Sequence, residues 1–552
     1  MNIGEMQRKL ALWATQEPGR KFKDLHNLLY DKDWITVAHD HVRKNAGSKT
    51  AGLDGITMKD FDENLDSNIE QLRQDLKAQT FEPQPVRRVY IPKPGGKKRP
   101  LGIPAIRDRI VQESLRMVLE PIFESDFSLR SYGFRPNRCT MDAVKFIASQ
   151  LTSNKKYYWI IEGDITSFFD TIKHQKLMKL VQRRIKDRKV LDLIWKFLRA
   201  GIMEGGHVRE TLCGTPQGGI MSPLLSNIYL NELDRYMSRH TSLSEYERRK
   251  RRRAGQANFL YVRYADDFVV LCNGTKAQTL AMRQELSEFL STLGLTLSME
   301  KTKVTHVNDG FKFLGFWIER SIGQSGKRAP KIRIPHEAYK RIKHKVSEAL
   351  APATCSYSLK IKIQQLNRVI GGWCRYYQYT SSPKYYFSHL GYDVWWGMAH
   401  WLGRKYKCSI PKVCKKFLVN KHFATKTSKL TMPHEYKTKR YPLKAFPINP
   451  YLVTSIELKR EELFSLEDIW TISETIAGQA DRKDEVFTRR PTCNDCGKPL
   501  SFIFEAELDH KKPRQKFKRP EDADYPANQQ ILCKPCHKLK TSQEQRVLSR
   551  VR

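Results

Sequence analysis

The sequence predicts a multidomain protein of the α+β class, and three observations support this prediction. First, the chain has 552 residues, and domains usually contain ~100–200 residues each. Second, hydrophobic residues make up 40% of the sequence and aromatic residues 11%, which is enough to form buried cores. Third, short apolar runs typical of strands alternate with helical segments between residues 86 and 330, and this alternation indicates mixed α and β structure.

Changes in composition divide the rest of the chain. Residues 1–85 have a mostly helical pattern, interrupted by a glycine-containing loop at 45–57 that cannot be helical throughout. Residues 331–450 are helical in pattern and rich in basic and aromatic side chains, and closely spaced prolines end this segment. A stretch at 451–490 then precedes a cysteine-containing module at 491–552. With the mixed α and β part, this makes five predicted segments.

The charge of the chain points to a polyanionic partner. Lysine and arginine number 98, against 59 aspartate and glutamate residues, which gives a formal net charge of +39. On a folded chain with many aromatic residues, such a charge is typical of proteins that bind nucleic acid. No apolar run approaches the ~20 residues needed to span a bilayer, and the first residues contain no apolar signal core. We therefore expect neither membrane insertion nor secretion.

The tetrapeptide Tyr-Ala-Asp-Asp at residues 264–267 predicts a β-hairpin that holds metal. It lies between two apolar runs, 258–263 and 268–272, whose β-branched and aromatic residues are typical of strands. Adjacent carboxylates such as those of Asp266 and Asp267 raise each other's pKa unless a cation compensates their charge. Oxygen ligands of this kind suit Mg²⁺. A water-exposed turn is the alternative, because turns favour aspartate.

Asp164 provides another carboxylate in a similar context. It ends a strand-like run at 159–164, and the segment 165–170 that follows enters a helix. If Asp164 meets Asp266 in space, the pair can hold two metal ions beside a reacting phosphate. The alternative role of Asp164 is the N-cap of the helix that follows, which aspartate fills well.

Four of the eleven cysteines form two Cys-x-x-Cys pairs, Cys493 with Cys496 and Cys533 with Cys536. In a chain with no secretory signal, this pattern favours zinc over disulfides. Four thiolates at this spacing form a closed, structural zinc site. A module of about 60 residues benefits from such a crosslink because its own core is small.

One low-complexity run, at residues 248–253, contains only arginine and lysine. Such a run is usually a solvated loop. Contact with a nucleic-acid backbone is the alternative, and the sequence leaves both roles open.

Taken together, the motifs resemble those of a known family. Three of them have the order and spacing found in reverse transcriptases: 164–170 (Asp-Ile-Thr-Ser-Phe-Phe-Asp), 215–223 (Thr-Pro-Gln-Gly-Gly-Ile-Met-Ser-Pro) and 264–267. Further blocks resemble the maturase–reverse transcriptases encoded by group II introns, and they lie at residues 89–104, 132–136, 300–303 and 313–316. The resemblance covers nearly the whole chain.

The chain departs from the family after the block at 132–136. Where the family often has Gly and Ser followed by His, this chain has Asn137, Cys139 and Met141. The resemblance therefore assigns template contacts in this block less firmly than it assigns the carboxylates.

The resemblance implies a right-hand polymerase with fingers and palm at 86–330. It also implies a template- and RNA-binding extension at 1–85 and a helical thumb and maturase domain at 331–450 that binds intron RNA. By position, the segment at 451–490 would bind DNA. The cysteine module at 491–552 resembles an HNH nuclease, a small ββα fold that zinc would crosslink.

The resemblance assigns roles in the polymerase site. Asp164, Asp266 and the backbone of Ile165 would bind two Mg²⁺ ions, and Asp267 would be the third acidic residue. Phe169 resembles the steric gate that excludes a ribose 2′-hydroxyl, although a phenylalanine in the first turn of a helix is more often part of a core.

Further residues of this site would bind the incoming nucleotide. Gln217 would contact the nucleotide, and Lys97 and Arg99 would hold its triphosphate; a solvated basic hairpin is the alternative for these two cations. Lys301 is a candidate general acid toward the leaving pyrophosphate.

The HNH resemblance assigns roles in the C-terminal module. His510 would be the general base that activates water, Asp509 and His537 would hold one divalent cation, and Asn528 would orient the loop that carries His510. A zinc ribbon that binds nucleic acid without cutting it is the alternative.

The resemblance therefore implies an RNA-directed DNA polymerase, intron splicing cofactor and second-strand DNA endonuclease that acts in retrohoming by target-primed reverse transcription. Expected partners are intron RNA, double-stranded target DNA and deoxynucleoside triphosphates. A second copy of the chain is a further candidate partner, in a homodimer. The expected location is the bacterial cytoplasm or an organelle. One alternative is a splicing-only maturase, which has no need of the carboxylates. The other is a reverse transcriptase of another lineage, which the HNH module and the long RNA-binding thumb disfavour.

Overall fold

The computed structural model describes residues 2–92, 98–204, 207–209, 213–215, 218–322, 328–453, 492–500, 506–511 and 528–551. Contacts within the chain define two compact units. The first unit comprises Met1–Cys139, Gly163–Lys303 and Lys444–Arg552, and the second comprises Thr140–Glu162 and Val304–Leu443. Lys97 and Gln217, two of the predicted nucleotide contacts named above, lie outside the described residues, as does most of the predicted DNA-binding segment.

The N-terminal region is helical, as the sequence predicts. The side chains of Asn2 and Asp31 cap the first and third helices by accepting hydrogen bonds from the N–H groups of Glu5 (3.1 Å) and Trp34 (3.0 Å). A 3-10 turn at Ala46–Lys49 interrupts the helical run inside the predicted loop. The helices of this region are α1 (Ile3–Gln16), α2 (His26–Leu29), α3 (Lys32–Lys44), α4 (Met58–Glu63) and α5 (Leu65–Ala78).

Strands and helices alternate after this region, as the sequence predicts. In chain order the elements are β1 (Val86–Pro92), β2 (Lys98–Ile103), α6 (Ile106–Phe123), α7 (Thr140–Gln150), β3 (Trp159–Gly163), α8 (Phe168–Thr171), α9 (His174–Val181), α10 (Arg188–Arg199), β4 (Ile202–Glu204), β5 (His207–Arg209), α11 (Ser222–Thr241), α12 (Glu245–Arg253), β6 (Phe259–Tyr264), β7 (Asp267–Cys272) and α13 (Lys276–Thr292).

A four-stranded sheet of the first unit has the strand order β2-β1-β4-β5. Strand β1 runs antiparallel to β2, with Arg88 opposite Gly102, and parallel to β4, with Val86 opposite Ile202. The β1–β2 hairpin carries Arg99 on its second strand, so this sheet presents one of the predicted triphosphate contacts.

Two largely buried helices, α6 and α11, organise the first unit. Helix α6 packs against α1 and α3, and α11 packs against α9 and β6. Two buried glutamates on α6 are paired: Glu113 and Glu120 accept hydrogen bonds from Arg116 at 2.7 and 2.6 Å. Burial without such partners would be costly, so this pairing lets a charged helix serve as a core element.

The basic run at 248–253 is helical, which corrects the prediction of a solvated loop. It forms the C-terminal part of α12, whose N-terminus is closed by a capping box between Ser244 and Glu247. Basic side chains in the last turn complement the helix dipole, so the charge that suggested a loop stabilises this helix. No residue of α12 is buried.

The second unit combines a small sheet with long helices. Strands form the order β11-β10-β9, with Ile318 opposite Ile332. The hydroxyl groups of Tyr376 and Tyr377 donate to the carbonyl oxygens at positions 314 and 315 (2.7 and 3.1 Å) and so tie a helix to the sheet. The elements from here to residue 423 are β8 (Lys303–His306), β9 (Phe311–Phe313), β10 (Phe316–Ile322), β11 (Arg328–Arg333), α14 (His336–Ala349), α15 (Leu359–Tyr377), α16 (Pro383–Tyr406), α17 (Ile410–Phe417), β12 (Leu418–Val419) and β13 (His422–Phe423).

The described part of the C-terminal module has the predicted ββα order. Strand β14 (Ala506–His510) pairs antiparallel with β15 (Gln529–Cys533), and helix α18 (Lys534–Val551) follows. Leu500, Ala506 and Ile531 are buried together, which gives the module a small core of its own. In the described parts of the whole chain, no helix combines the length and the apolar character needed to cross a membrane.

Asp108 on α6 makes the first unit sensitive to pH. Burial raises the pKa of its carboxyl group to about 7. One carboxyl oxygen accepts a hydrogen bond from the N–H of Gln84 (2.9 Å), whereas the other has no partner among the described residues. The folded protein therefore keeps this proton at pH values where an unfolded chain loses it.

We expect Asp108→Asn to stabilise the protein more at about pH 8 than at about pH 5, by about 2 kcal/mol. Folding raises the pKa of this carboxyl group from an ordinary 3.8 to about 7, so the folded wild-type protein loses stability as the pH rises through that range. The asparagine side chain has no proton to lose, so the variant does not lose stability in this way. Denaturant unfolding of both proteins at the two pH values measures the effect. A stability difference that does not change with pH would contradict it.

Candidate active site

The predicted hairpin is formed by β6 and β7. These strands pair antiparallel from Phe259 opposite Cys272 to Tyr264 opposite Asp267, which leaves Ala265 and Asp266 as the two turn residues. Ala265 has a φ of 56°, the left-handed conformation that two-residue hairpin turns require. The strands are buried almost throughout, so their apolar residues fix the register that brings the carboxylates to the tip.

A buried arginine anchors this turn. The guanidinium group of Arg263 is completely buried and donates to both carboxylate oxygens of Asp234, at 2.8 and 2.6 Å. It also donates to the side-chain oxygen of Asn227 and to the carbonyl oxygen of Ala265, both at 3.0 Å. Asn227 and Asp234 lie seven residues apart on α11 and thus on one face of that helix. These three residues were not predicted from the sequence; an arginine inside an apolar strand was the available signal.

Gly133 supports the turn from the other side. A Cβ atom at this position would lie 2.2 Å from the backbone nitrogen of Ala265, so only glycine fits. The Asn227 side chain donates to the Gly133 carbonyl oxygen (2.9 Å), and the N–H of Tyr132 donates to the Arg263 carbonyl oxygen (2.9 Å). The block at 132–136 is therefore part of the hairpin's support.

Asp164 follows the last residue of β3. That residue, Gly163, approaches the hairpin so closely that a Cβ atom would lie 2.1 Å from the ring of Phe268. The carbonyl oxygen of Asp164 accepts a hydrogen bond from the N–H of Ser298 (2.8 Å). The residue in the N-cap position of helix α8 is Ser167, so the alternative role of Asp164 as its N-cap is wrong.

The three aspartates repel one another electrostatically. Burial and the charge of Asp164 raise the pKa of Asp266, against a hydrogen bond from its own backbone. Burial, Asp266 and Asp164 raise the pKa of Asp267 to about 7, against the opposing charges of Lys301 and Arg99. The Lys301 ammonium group donates to the Asp164 carboxylate at 2.9 Å. The site is thus a concentration of poorly solvated negative charge beside two cations, which favours a bound metal ion.

The four predicted cysteines converge in the C-terminal module. Their Sγ atoms all lie within 4.8 Å of one another, and those of Cys496 and Cys533 are 3.8 Å apart. A tetrahedral site with Zn–S bonds of ~2.3 Å has S–S edges of about 3.8 Å, so the group fits zinc. Burial opposes ionisation of Cys493, but backbone N–H groups outweigh it and lower the pKa of this thiol to about 6, which favours the thiolate that binds metal.

In the described residues, the cysteines are the only group of three or more potential ligands that converges in this way. The three aspartates are not brought together as closely. The carboxylate of Asp164 is instead paired with Lys301.

The predicted nuclease residues come from both strands and the helix of the module. Asp509 and His510 end β14, and the carbonyl oxygen of Asn528, just before β15, accepts a hydrogen bond from the N–H of Lys511 (2.7 Å). This bond places Asn528 beside the strand end that carries His510. His537 lies on the first turn of α18.

Lys540 is a contact that sequence reasoning missed. Its ammonium group donates to the Asp509 carboxylate (2.5 Å) from three residues beyond His537 on α18, and Gln530 donates to the same carboxylate at 3.0 Å. Burial opposes ionisation of Asp509, but these two hydrogen bonds outweigh it and lower its pKa. The carboxylate is therefore ionised at neutral pH.

Three family models match the chain. Residues 91–318 match reverse transcriptase (RNA-dependent DNA polymerase), 339–417 match the group II intron maturase-specific domain, and 493–543 match HNH endonuclease. The chain is 43% identical over 356 residues to Protein YkfC of Escherichia coli (strain K12), and the match covers 61% of this chain and 93% of YkfC. It is 36% identical over 360 residues to the group II intron-encoded protein LtrA of Lactococcus lactis subsp. cremoris, covering 56% of this chain and 59% of LtrA. The chain belongs to the group II intron-encoded proteins.

A longer match reaches an organellar relative. The putative COX1/OXI3 intron 2 protein of Saccharomyces cerevisiae is 28% identical over 466 residues, covering 72% of this chain and 54% of that protein. The chain spans about three fifths of LtrA and about half of the yeast protein. This group II intron-encoded protein thus has reverse transcriptase, maturase and HNH endonuclease domains.

In this group II intron-encoded protein, the predicted nucleotide-binding segments lie close to one another. The half-buried Phe169 ring lies edge-on to the Phe134 ring at 6.4 Å, and the Phe169 carbonyl oxygen accepts a hydrogen bond from the N–H of Thr215 (2.7 Å). A Cβ atom on Gly218 would lie 2.5 Å from the Gly102 carbonyl oxygen on β2. Thr215 therefore contacts the Phe169 segment, and Gly218 lies against the strand that carries Arg99.

Ile165, whose backbone is predicted to bind metal, follows Asp164 directly. Its side chain is buried, and its backbone forms an isolated β-bridge with Leu297. Because the side chain belongs to the core, the backbone alone is available for a ligand.

We expect Arg263→Met to destabilise the first unit by about 3–5 kcal/mol, because it leaves the carboxylate of Asp234 buried without a partner. The double variant Arg263→Met with Asp234→Leu should recover much of that stability, since it removes the orphaned charge. Denaturant unfolding of the three proteins measures both effects. Wild-type stability in the single variant would contradict this account of the anchor.

Proposed function

We propose that this group II intron-encoded protein is an RNA-directed DNA polymerase, an intron splicing cofactor and a DNA endonuclease, and that it acts in retrohoming by target-primed reverse transcription. One observation supports the polymerase most directly: burial and the charge of Asp164 raise the pKa of both Asp266 and Asp267, beside the cations Arg99 and Lys301. A protein that only binds RNA gains nothing from bringing such repelling charges together. The finer architecture, a right hand with fingers, palm and thumb, belongs to this proposal.

Asp164 and Asp266, with the backbone of Ile165, are the residues that would hold two Mg²⁺ ions. When bound, these ions supply charge that stabilises the attacking and leaving oxygens of phosphoryl transfer. Asp267 adds negative charge that strengthens the site for cations. The buried Arg263 anchor keeps the Asp266 backbone fixed, so little reorganisation is needed when the substrate arrives.

The cations and aromatic rings around the aspartates suit a deoxynucleoside triphosphate. Arg99 and Lys97 would pair with its phosphates, and Gln217 would contact the nucleotide. The position of Phe169 between Phe134 and the 213–215 turn suits a rigid gate against a 2′-hydroxyl. A gate on a mobile side chain would discriminate poorly, because the clash could be relieved by movement.

Lys301 would donate a proton to the leaving pyrophosphate. A hydrogen bond to Asp164, together with the charges of Asp164 and Asp267, raises its pKa. The ammonium group is therefore fully protonated at neutral pH and has a proton to give. Its side chain is 63% exposed, so it can move between the carboxylate and a phosphate.

The second unit offers a surface suited to intron RNA. Tyr385 and Tyr392 on α16 are 63% and 66% exposed, and exposed rings among basic residues can stack on unpaired bases. Other aromatic residues of this region, such as Trp401, are fully buried and serve the core. Intron RNA, target DNA and deoxynucleoside triphosphates are the proposed partners, and a homodimer stays a prediction. We place these activities where the intron is transcribed, in the bacterial cytoplasm or an organelle.

The C-terminal module would cut the second strand of a DNA target. His510 would take a proton from water, Asp509 and His537 would hold a divalent cation, and Asn528 would keep the His510 strand end in place. Zinc at the four cysteines would be structural, because all four positions of a tetrahedral site are filled by protein.

We expect Asp266→Asn to reduce primer extension on an RNA template by about 10²–10³-fold or more, because it removes a charged metal ligand, while RNA affinity stays within twofold. Primer extension in Mg²⁺ and filter binding of intron RNA measure the two quantities. Parallel loss of extension and RNA binding would contradict the proposed division of roles. The matched control is Asp170→Asn, the same chemical change at an exposed aspartate of α8. Both substitutions are isosteric and should leave the fold intact.

We expect His510→Ala to abolish nicking of double-stranded target DNA and to leave primer extension unchanged, because the general base lies in a separate module. Nicking assays on supercoiled plasmid carrying the target site measure the first quantity. The control is His344→Ala, which changes an exposed histidine on α14. Nicking at the wild-type rate would overturn the nuclease assignment.

A further inference from the structure

Residues 446–452, which we call the strap, follow the second unit in the sequence but belong by their contacts to the first unit. We propose that the strap is a positioning element of the polymerase, which holds the loop at 132–138 against the hairpin that carries Asp266. This proposal rests on the proposed polymerase function. The maturase match ends at residue 417 and the HNH match begins at 493, so the strap belongs to neither matched domain.

Asn449 anchors the strap in the first unit. Its side chain is fully buried, and its amide group donates to the carbonyl oxygen of Pro121 and to the hydroxyl of Ser125, both at 2.7 Å. Its side-chain oxygen accepts a hydrogen bond from the N–H of Tyr451 (3.1 Å). Burying an amide is favourable only when its hydrogen bonds are made, so this residue fixes the strap at one place on α6.

Tyr451 provides another anchor on the same helix. Its hydroxyl group donates to the Glu120 carboxylate, which is also held by Arg116 at 2.6 Å. Burial raises the pKa of the Tyr451 hydroxyl well above its ordinary value, so it remains a donor at all physiological pH values. The strap thus joins an ion-pair network in the core of the first unit.

Phe446 connects the strap to the catalytic hairpin. Its ring lies under the guanidinium group of Arg138 (4.3 Å to the ring centre) and edge-on to the ring of Tyr132 (5.9 Å). The N–H of Tyr132 in turn donates to the carbonyl oxygen of Arg263 (2.9 Å), one residue before the hairpin's closing pair. Two consecutive contacts, from Phe446 to Tyr132 and from Tyr132 to Arg263, therefore lead from the strap to the hairpin that carries Asp266.

A passive linker would have a different character. Linkers between domains are usually exposed, polar and free of specific contacts. This segment instead has a buried amide, a tyrosine hydroxyl bonded to a buried carboxylate, and a cation–π contact. Through Phe446, the strap supplies an aromatic contact to Tyr132, the first residue of the block at 132–136. The strap is therefore built to hold this block in place.

The test compares three variants of the full chain. Phe446→Ala removes the ring, and Phe446→Tyr is the conservative variant that keeps it. Leu280→Ala, which changes an exposed apolar residue of α13, is the matched control. Steady-state primer extension gives kcat and the KM for deoxynucleotide. Hydrogen exchange gives the protection of the peptide at 259–272. We expect Phe446→Ala to lower kcat about 10–10²-fold, to leave the KM within threefold and to make the hairpin exchange faster. Phe446→Tyr should restore both kcat and the protection of the hairpin.

Unchanged kcat together with unchanged exchange at 259–272 would overturn the proposal. So would a loss of activity that parallels a general loss of protection across the first unit, because the strap would then act on folding alone. If Phe446→Ala does not fold, Phe446→Leu keeps the apolar volume without the aromatic face and takes its place. If the wild type does not extend primers, the polymerase proposal fails, and hairpin exchange alone decides whether the strap holds the loop.

Discussion

The buried ion pair between Arg263 and Asp234 is the constraint on which the candidate polymerase site depends. A charge pair taken out of water is stable only when its geometry is good and its remaining hydrogen bonds are made. Here Asn227 and the Ala265 carbonyl oxygen accept those bonds. The hydrogen bonds that Arg263 donates therefore also fix the turn. The position of Asp266 is thus determined by the buried Arg263 side chain.

The aspartates themselves work against the stability of the fold. Burial and mutual repulsion raise the pKa of Asp266 and Asp267, so their charged forms are disfavoured until a cation arrives. Rigid surroundings are needed to keep such groups together. Gly133 and Gly163 allow backbone and ring atoms to approach the hairpin closely, which supplies that rigidity from two sides.

Particular elements show how far the sequence could lead. The strands around residues 264–267 were predictable because their apolar, β-branched residues are typical of buried strands, and the cysteine spacing predicted the sulfur cluster. Arg263 and Lys540 were not predictable, because their partners lie 29 and 31 positions away on other elements. The helical form of the basic run on α12 does not follow from its charge alone, because the helix begins at a capping box upstream of that run. Asn449 is anchored by Ser125 and Pro121, which lie 324 and 328 positions away in the sequence. No local sequence pattern could predict these contacts.

The central claim is that the aspartate cluster is a cation site held in place by its buried anchor. Electron paramagnetic resonance of Mn²⁺ bound to the full chain tests it directly. The parent protein carries His537→Ala, which removes the proposed nuclease ion. Asp164→Asn and Asp266→Asn are each added to this parent and compared with it. The account predicts tight Mn²⁺ binding in the parent protein and its loss in both aspartate variants. Equal Mn²⁺ binding in all three proteins would contradict it.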